Sequence, residues 1–306
     1  MRSLHLQETS VRYFLEVVKR GSISLAASRL FVSSSAVSRQ IAALESVLGV
    51  PLFERRPRGM TPTAAGELLA TYAQRMTLEA EQVVSDIQGL QGLLRGVVRV
   101  ATSSGFSLDF LPSVIAQFQQ RYPGIQFQVK VTRPTAVTTT ILNGDADIGL
   151  TYSRRAERDI RVEHQQTAPV LVIMRPDHPL AQHRSLKLTQ LQPYPLALPD
   201  RENTVRQLFD VCCSWHQVVF EPALITDSFE TLVNYVLRGT ALSIVGEVTV
   251  RNRMQRGELK GLLLHERGME DRSIEVQTLM GRTLPEAARV FVDTLAEHLG
   301  ASATPV

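Results

Sequence analysis

The sequence predicts an α+β chain of several domains, helical up to about Leu94 and alternating between strands and helices after Gly96. Two observations predict this division. Apolar residues recur every three or four positions in the first part, which is the helical period, whereas short apolar runs bounded by turn residues fill the second. With 306 residues, the chain has room for two or three domains and a substantial core.

The charge is distributed unevenly along the chain. Residues 1–60 hold 9 Lys and Arg against 4 Asp and Glu, which leaves 24 against 26 for the remainder. A basic first segment on a slightly acidic body is expected if only that segment meets DNA. The sequence shows no apolar run of the signal-peptide type and none near the ~20 residues of a membrane span. We therefore expect a cytoplasmic protein without a membrane partner.

The first 48 residues predict three helices. The first covers 6–19 and ends at Gly21, and two shorter helices joined by a tight turn follow between Ser22 and Leu48. The small pair Ala26 and Ala27 permits a close crossing of two helices, and Ser22 or Ser24 is suited to capping the second helix. The third helix has an apolar stripe at steps of four, three and four, formed by Val37, Ile41, Leu44 and Leu48.

The other face of the third helix is suited to contact with DNA. Its first turns carry Ser34, Ser35, Ser38 and Arg39, and short hydroxyls beside a guanidinium can approach phosphates and base edges without bulk or negative charge. From these residues alone, a helical hairpin with a serine-rich exposed face is an equal alternative.

A short basic turn directly after the helices favours the DNA interpretation. The segment VPLFERRPRGM places three arginines around Pro57 and Gly59, and such a wing can lay guanidinium groups along or into a minor groove. These arginines are Arg55, Arg56 and Arg58.

Residues 4–66 resemble the winged helix-turn-helix of the LysR-type transcriptional regulators, in the phrases FLEVVKRGSISLAASRL, SAVSRQIAALESVLGVPLFER and TPTAAG. The resemblance implies a DNA-binding regulator of transcription with double-stranded DNA as partner. Ser34 and Ser35 stand where the family usually has Gln-Pro, and Pro62 where it commonly has leucine, so the operator sequence does not transfer from relatives. The residues expected to face DNA are Ser33, Ser34, Ser35, Ser38, Arg39, Arg29, Arg56 and Arg58.

One long helix is predicted from Thr63 to about Leu94. Roughly thirty residues at ~1.5 Å each make a rod ~45 Å long. It either pairs two subunits or lies on its own downstream domain. Pairing into a homodimer is favoured because a winged head usually reads two half-sites, and the family commonly forms homotetramers.

The remainder predicts strands alternating with helices, hence a largely parallel sheet covered on both faces. The predicted strands are VVRVATS, IQFQVKVT, ADIGLTY, APVLVIMRP, EPALIT, ALSIV and SIEVQTLMG, and the predicted helices are LDFLPSVIAQFQQRYP, Pro134 to Asn143, Thr204 to Trp215, Phe229 to Arg238, Val248 to Gln255 and Pro285 to Leu299.

The phrases LPSVIAQFQQRYPGI, LNGDADIGL and MRPDHPLA are similar to the effector domain of the same family. This implies two α/β lobes, as in periplasmic solute-binding proteins, joined by crossovers near Arg161 to Gln165 and Glu266 to Asp271. The segment GTALSIVGE departs from the family pattern, so the identity of the ligand cannot be inferred from relatives either. The expected domains are a winged head at 1–62, a linker helix at 63–94, and an effector domain at 95–306, with lobe I at 95–163 and 270–301 and lobe II at 166–267.

Two-lobed α/β domains bind ligands in the cleft at the carboxyl ends of their strands. Hydroxyls and helix starts at these positions suit a small polar or anionic effector. N-capping alone is the alternative for each residue taken singly. Arg133 and Arg206 are candidate partners for a carboxylate or simply solvated. The predicted effector residues are Ser103, Ser104, Thr135, Thr151, Ser153, Asn203, Thr204, Ser228 and Phe229.

Catalysis is not predicted. The sequence has no GxSxG, P-loop, GxGxxG or HExxH motif, so we expect no enzyme, no metal and no cofactor. A secreted solute-binding protein would show a signal peptide and no basic head. Three other pairs of residues have structural explanations: Cys212 and Cys213 as buried thiols rather than a redox switch, His178 and His183 as solvated loop residues, and Asp145 with Asp147 as a turn and strand cap.

Overall fold

The computed structural model describes residues 8–56, 59–89, 95–153, 157–269 and 272–300, with the backbone alone at 55, 85, 86, 88 and 89. The chain divides into two compact units, one of residues 1–93 with 282–286 and one of the remaining residues. The first unit contains helices and a hairpin, the second two mixed sheets with their helices, and the predicted α+β class is confirmed.

Unit 1 begins with three helices, α1 (Thr9–Arg20), α2 (Ile23–Leu30) and α3 (Ser34–Leu48). Gly21 ends α1 in the left-handed conformation with φ 63°, as predicted. Ser22 caps α2, since its hydroxyl accepts from the Leu25 N–H at 3.5 Å.

One core holds these helices together. Ala26 and Ala27 are buried against α1 and α3, so the predicted close crossing is confirmed. Val37 and Ile41 are also buried, but Leu48 is 49% exposed. The predicted stripe is therefore wrong at its end, because the core covers α3 only as far as Leu44.

The wing is a hairpin of β1 (Phe53–Arg56) and β2 (Gly59–Pro62), antiparallel, with Arg56 opposite Gly59. The Met60 N–H donates to the Gly21 carbonyl at 2.8 Å, which ties the wing to the end of α1. Gly59 has φ 131°, and a Cβ there would overlap that same carbonyl oxygen. Only glycine fits this close approach.

The long helix α4 covers Ala64–Gly89, about 39 Å at 1.5 Å per residue. Thr63 begins it: its hydroxyl accepts from the Gly66 N–H at 3.1 Å and donates to the Pro51 carbonyl at 2.8 Å. The predicted end of this helix at Leu94 lies outside the described residues.

Unit 2 contains two lobes. In chain order its elements are β3 (Gly96–Ser103), α5 (Ser104–Ser107), α6 (Phe110–Arg121), β4 (Ile125–Thr132), α7 (Pro134–Leu142), β5 (Ile148–Ser153), β6 (Ile160–Thr167), β7 (Val170–Met174), a 3-10 turn (Pro179–Gln182), α8 (Leu188–Leu191), β8 (Leu196–Pro199), α9 (Thr204–Trp215), β9 (Leu224–Thr226), α10 (Phe229–Arg238), β10 (Leu242–Gly246), α11 (Glu247–Gln255), β11 (Lys260–Leu263), β12 (Ser273–Leu279) and α12 (Glu286–Gly300).

Each lobe is built on a mixed five-stranded sheet. Lobe I has the order β4-β3-β5-β12-β6, and lobe II has the order β11-β7-β10-β8-β9. Strand β12 lies between β5 and β6, so the predicted return of the last strand to lobe I is confirmed. The prediction of a largely parallel sheet is wrong, because strands entered by crossing between lobes run antiparallel to their neighbours.

Strand β6 corrects the predicted first crossover. Residues Ile160–Thr167 pair with β12 in the lobe I sheet, so Arg161 to Gln165 are a strand and the chain crosses at Ala168 and Pro169. The return crossing precedes Ser273. The two crossings touch, because the Ala168 N–H donates to the Arg272 carbonyl at 3.2 Å.

Helices cover both faces of the lobe II sheet. Val170, Val172 and Met174 pack with α9, whereas the alternating Leu171 and Ile173 pack with α10. Because α9 follows β8 and α10 follows β9 in the chain, the starts of these helices lie at the carboxyl ends of those strands. Among the helices of the described residues, none combines the length and apolar character that a membrane crossing needs.

Candidate DNA-contact surface and effector cleft

The first turns of α3 expose the predicted polar side chains. Ser34, Ser35 and Arg39 are exposed and Ser38 is half-buried, while Val37 and Ile41 on the opposite side lie in the core. The helix thus presents hydroxyls and a guanidinium outward from a face that packing holds in place. Such a face can donate to phosphates and base edges.

Ser33 has a structural role. It is the N-cap of α3, and its hydroxyl accepts from the Ala36 N–H at 3.2 Å and lies 3.0 Å from the Ser35 hydroxyl. The cap satisfies one of the N–H groups that every helix start leaves without a partner. Ser33 therefore fixes where α3 begins and how Ser35 is oriented.

Phe31 is a feature of this surface that the sequence reasoning missed. It ends α2 in the left-handed conformation with φ 57° and ψ 43°, and its side chain is 90% exposed. For a residue with a Cβ this backbone conformation costs about 1–2 kcal/mol. A large apolar residue in the tight turn between two predicted helices was the available signal.

The predicted arginines differ in their surroundings. Arg29, at the end of α2, is exposed. Arg56 in the wing is exposed and pairs with Glu54 at 2.9 Å, so a DNA contact would exchange this weak surface pair for a phosphate. Arg58 lies outside the described residues.

Helix α4 carries an exposed apolar face. Leu68, Tyr72, Val83 and Ile87 are between 48% and 76% exposed, and their spacing places them within about 100° of the helix circumference. Leu69 and Ala70, near the start of the same helix, pack on the core of the head. A face of this length and composition is suited to pairing with another helix.

Several predicted effector loops meet between the lobes. Arg133, before α7, forms an ion pair with Glu202, before α9, which joins lobe I to lobe II. The Thr151 hydroxyl at the end of β5 donates to the Pro134 carbonyl at 3.4 Å. The end of β5 and the starts of α7 and α9 therefore lie together.

Arg272 lies at the centre of this junction and was also missed. It is buried beside both crossings: its Nε donates to the Ala168 carbonyl at 3.2 Å and its Nη1 to the Thr204 hydroxyl at 3.3 Å. Its guanidinium carbon lies 4.1 Å from the centroid of the Tyr152 ring, a cation–π contact. Burial lowers the pKa of Arg272, and Tyr152 opposes that shift.

Polar atoms without partners cluster around Arg272. Within the described part of the chain, its Nη2, the Tyr152 hydroxyl and the Thr249 hydroxyl are buried and have no hydrogen-bond partner. A Cβ at Gly246 would lie 2.6 Å from Nη2 and 2.8 Å from the Tyr152 hydroxyl, and one at Gly105 would lie 3.0 Å from the Thr249 hydroxyl. These donors thus face the backbone of two glycines, one in each lobe.

The pKa of Tyr152 reflects the same environment. Burial raises the pKa of its hydroxyl, while the Arg272 charge and the nearby Thr249 hydroxyl lower it by less. Thr249 is near enough to influence Tyr152, but the two hydroxyls do not meet hydrogen-bond geometry. The cluster therefore presents neutral hydroxyl donors beside one buried cation.

The other predicted effector residues have separate surroundings. Ser103 is buried with a hydroxyl that lacks a partner in the described structure, Ser104 and Ser153 are half-buried, and Thr135 is exposed. Asn203 caps α9 by accepting from the Val205 N–H at 3.0 Å, and Ser228 caps α10 by accepting from the Thr231 N–H at 3.2 Å. The Phe229 ring is 5% exposed and packs in the lobe II core, so its side chain does not line a cleft.

Two further candidates have structural partners, and a third is exposed. Arg206 pairs with Asp210 at 2.7 Å and donates to the Pro199 carbonyl at 3.3 Å. His178 is buried and accepts from the Leu180 N–H, so its prediction as a solvated residue is wrong, whereas His183 is exposed. The His178 ring packs on the Tyr194 ring, with the centroids 4.5 Å apart, and its Nδ1 satisfies the first N–H of the 3-10 turn.

The remaining chemistry-bearing residues are also explained by packing. Asp147 is buried and accepts from the Arg99 N–H at 2.8 Å and from its Nη2 at 3.0 Å. Cys212 and Cys213 are buried in the lobe II core, as predicted, and burial raises the pKa of both thiols. No group of three or more His, Cys, Asp and Glu side chains in the described residues is arranged to hold a metal ion.

Two family models match the chain. The bacterial regulatory helix-turn-helix protein of the lysR family matches residues 9–67, and the LysR substrate binding domain matches residues 91–300. The chain belongs to the LysR family. It is therefore a DNA-binding transcriptional regulator that responds to an effector through its substrate-binding domain, and it is not an enzyme.

Relatives of this LysR-family regulator cover most of its length. The probable HTH-type transcriptional regulator LrrA of Synechococcus elongatus is 33% identical over 78% of this chain and 80% of that protein. The RuBisCO operon transcriptional regulator of Allochromatium vinosum is 27% identical over 88% of each chain.

Solved structures share the fold of this LysR-family regulator. A full-length OxyR variant from Pseudomonas aeruginosa has a TM-score of 0.65 at 19% identity, covering 94% of this chain and 93% of that one. Full-length CbnR in complex with its target DNA has a TM-score of 0.55 at 19% identity, covering 94% and 98%. The predicted two-lobed fold behind a winged helix-turn-helix is thereby confirmed.

Proposed function

We propose that this regulator reads DNA by placing the first turns of α3 in the major groove, with the wing on the flanking minor groove or backbone. The observation that carries the proposal is the exposure of Ser34, Ser35 and Arg39 on a helix whose other side is fixed in the core. Supporting contacts come from side chains at the edges of this surface, namely Ser33, Ser38, Arg29, Arg56 and Arg58.

The test compares Arg39→Ala with Arg20→Ala in the full-length protein. Arg20 is a matched control, because it is an arginine of the head that pairs with Glu16 on α1 and lies outside α3. The probe is a duplex enriched from random-sequence DNA by the unaltered protein. Arg39→Ala should weaken binding about tenfold or more and reduce the salt slope by about one, while Arg20→Ala binds normally. Equal affinity of both variants would refute the placement of α3.

The proposal includes pairing through α4. Its exposed apolar face at Leu68, Tyr72, Val83 and Ile87 supports a homodimer that presents two heads to two half-sites, and the family resemblance supports a homotetramer of such dimers. The domains proposed are 1–62, 63–94 and 95–306. Replacement of Val83 and Ile87 by serine should produce monomers in sedimentation velocity, whereas Val50→Ser, at another exposed valine, should not.

The effector proposed is a small anionic molecule bound between the lobes. A buried arginine with an unpartnered N–H group supports this, because a carboxylate or phosphate would supply both a countercharge and an acceptor. Tyr152 and Thr249 would donate to the same group. The loops proposed to line the remainder of the site contain Ser103, Ser104, Thr135, Thr151, Ser153, Asn203, Thr204 and Ser228, with Phe229 contributing its backbone only.

Regulation follows from the position of this site. A ligand held by residues of both lobes favours one relative orientation of the lobes and so shifts the population of assemblies with different spacing of their heads. We place this activity in the cytoplasm, because bacterial DNA lies there. A panel of small carboxylates and phosphates, tested by thermal unfolding of the full-length protein, should contain compounds that raise the midpoint, while their neutral amides or alcohols do not. Stabilisation by neutral compounds alone would contradict an anionic effector.

A further inference from the structure

Phe31 combines two features that each oppose folding of the head. Its backbone is left-handed, with φ 57° and ψ 43°, where glycine and asparagine are favoured. Its ring is 90% exposed, although phenylalanine is among the residues most often buried. Packing within the head therefore explains neither the residue type nor its placement.

The turn fixes the direction of the ring. The Val32 N–H donates to the Ala27 carbonyl at 3.1 Å, and the Val32 side chain packs on the head core. With Val32 turned inward, the neighbouring Phe31 projects outward. It does so two residues before Ser33, the cap of α3, and hence beside the helix start that carries Ser34 and Ser35.

We infer that the Phe31 ring is a DNA contact that covers apolar surface at the edge of the major groove. This inference rests on the proposed placement of α3 in that groove. Duplex DNA offers two apolar surfaces there, the C5-methyl groups of thymines and the deoxyribose carbons of the groove wall. Covering the ring with either one removes apolar area from water on both partners.

The contact differs in kind from those of the arginines and serines. An apolar ring displaces no counterion, so it contributes to affinity without contributing to the salt dependence of binding. If the partner is a thymine methyl, the contact also contributes sequence preference at a position that the serines of α3 do not reach. Phe31 is then a specificity-determining residue in the turn rather than on the recognition helix.

Val47 provides a matched control. It is 83% exposed and apolar, and it lies on α3 itself, thirteen residues beyond Ser34 and therefore about 20 Å along the axis. If exposed apolar side chains of the head acted only through nonspecific hydrophobic contacts, Val47→Ala and Phe31→Ala would have similar effects on DNA affinity.

The test measures stability and affinity together in the full-length protein. Phe31→Asn should unfold at an equal or higher temperature, because asparagine tolerates the left-handed conformation. The same variant and Phe31→Ala should bind the duplex enriched by the unaltered protein about tenfold more weakly, with an unchanged salt slope. Val47→Ala should bind normally. Normal binding by Phe31→Asn, or a lower unfolding temperature, would overturn the inference.

Uracil in place of thymine separates the two apolar partners. If the ring covers a thymine methyl group, one uracil replacement weakens DNA binding by the unaltered protein and leaves binding by the Phe31→Ala variant unchanged. If the ring covers deoxyribose, no uracil replacement has this selective effect, although Phe31→Ala still binds the original duplex more weakly than the unaltered protein. The Arg39→Ala variant separates a failure of the Phe31 contact from a failure of the placement of α3. Weak binding by Arg39→Ala with normal binding by Phe31→Asn refutes this inference alone, whereas normal binding by Arg39→Ala refutes the placement of α3.

Discussion

The guanidinium group of Arg272 stacks over the ring of Tyr152, with its central carbon 4.1 Å from the ring centroid. Phe106 stacks on the same ring, with the centroids 4.5 Å apart. These three side chains come from the return crossing, the end of β5 and the helix after β3, and Thr204 and Gly246 of lobe II close the group. A buried cation is thus placed where both lobes and both crossings meet.

Replacing Arg272 by methionine should abolish the response to an anionic effector without lowering the stability of the protein. Methionine keeps an unbranched apolar stem and removes a buried charge that no carboxylate of the described residues pairs with, so the protein without effector should unfold at an equal or higher temperature. The anionic compounds that stabilise the unaltered protein should no longer do so. Thermal unfolding with and without those compounds checks both statements, and a retained ligand-induced rise would contradict the assignment of Arg272.

Replacing Glu202 by glutamine should increase sensitivity to an anionic effector. Glu202 holds Arg133 across the two lobes, and both side chains are more than half exposed, so the pair itself contributes at most about 1 kcal/mol to stability. Loss of the carboxylate leaves the Arg133 guanidinium to a ligand. The expected result is a lower effector concentration for half-maximal stabilisation, with no change for Glu221→Gln, an exposed control in the same lobe. A higher concentration would show that Glu202 itself assists binding.

Replacing Ser33 or Ser34 by alanine should have different effects on stability and on DNA binding, although the two residues are neighbours. Ser33→Ala removes the α3 cap and should lower the free energy of unfolding by about 1 kcal/mol. Ser34→Ala removes an exposed hydroxyl and should change stability by less than about 0.5 kcal/mol while weakening DNA binding. Urea unfolding and titration with the enriched duplex give the two quantities. If Ser34→Ala were the more destabilising change, the assignment of the cap would be wrong.

The vicinal thiols should be unreactive at neutral pH. Burial raises the pKa of Cys213 to about 12 and also raises that of Cys212, so neither forms a thiolate in the folded protein near pH 8. Both should react with a disulfide reagent only after unfolding in urea. Because the unfolded chain loses these protons first, the free energy of unfolding should fall as the pH rises above about 9. Rapid labelling of the folded protein at pH 7 would instead favour a redox role.

Much of the fold could be predicted because local signals agree with packing. Gly21, Ser22 and the pair Ala26 and Ala27 behave as their chemistry indicates, and α9 and α10 match their predicted bounds. Strand β6 was missed because an edge strand with mostly exposed residues carries little apolar signal. Leu48 was misassigned because periodicity does not show where the neighbouring helices end.

The candidate sites were less accessible to sequence reasoning. Hydroxyls at predicted strand ends identified the loops of the cleft, but the pairing of Arg133 with Glu202 joins residues that are far apart in the chain. Arg272 gave no local signal, since its burial depends on the first crossing, the start of α9 and the end of β5, which only the folded chain brings together. Phe31 was overlooked because an apolar residue between two helices ordinarily belongs to the core.

The contact between Ala168 and Arg272 has a mechanical consequence. The two chain segments that connect the lobes are hydrogen-bonded to each other, through the Ala168 N–H to the Arg272 carbonyl and through the Arg272 Nε to the Ala168 carbonyl. Because this contact couples the two segments, a change in the relative orientation of the lobes must move both of them together. A molecule bound beside Arg272 would therefore act on both connecting segments at once.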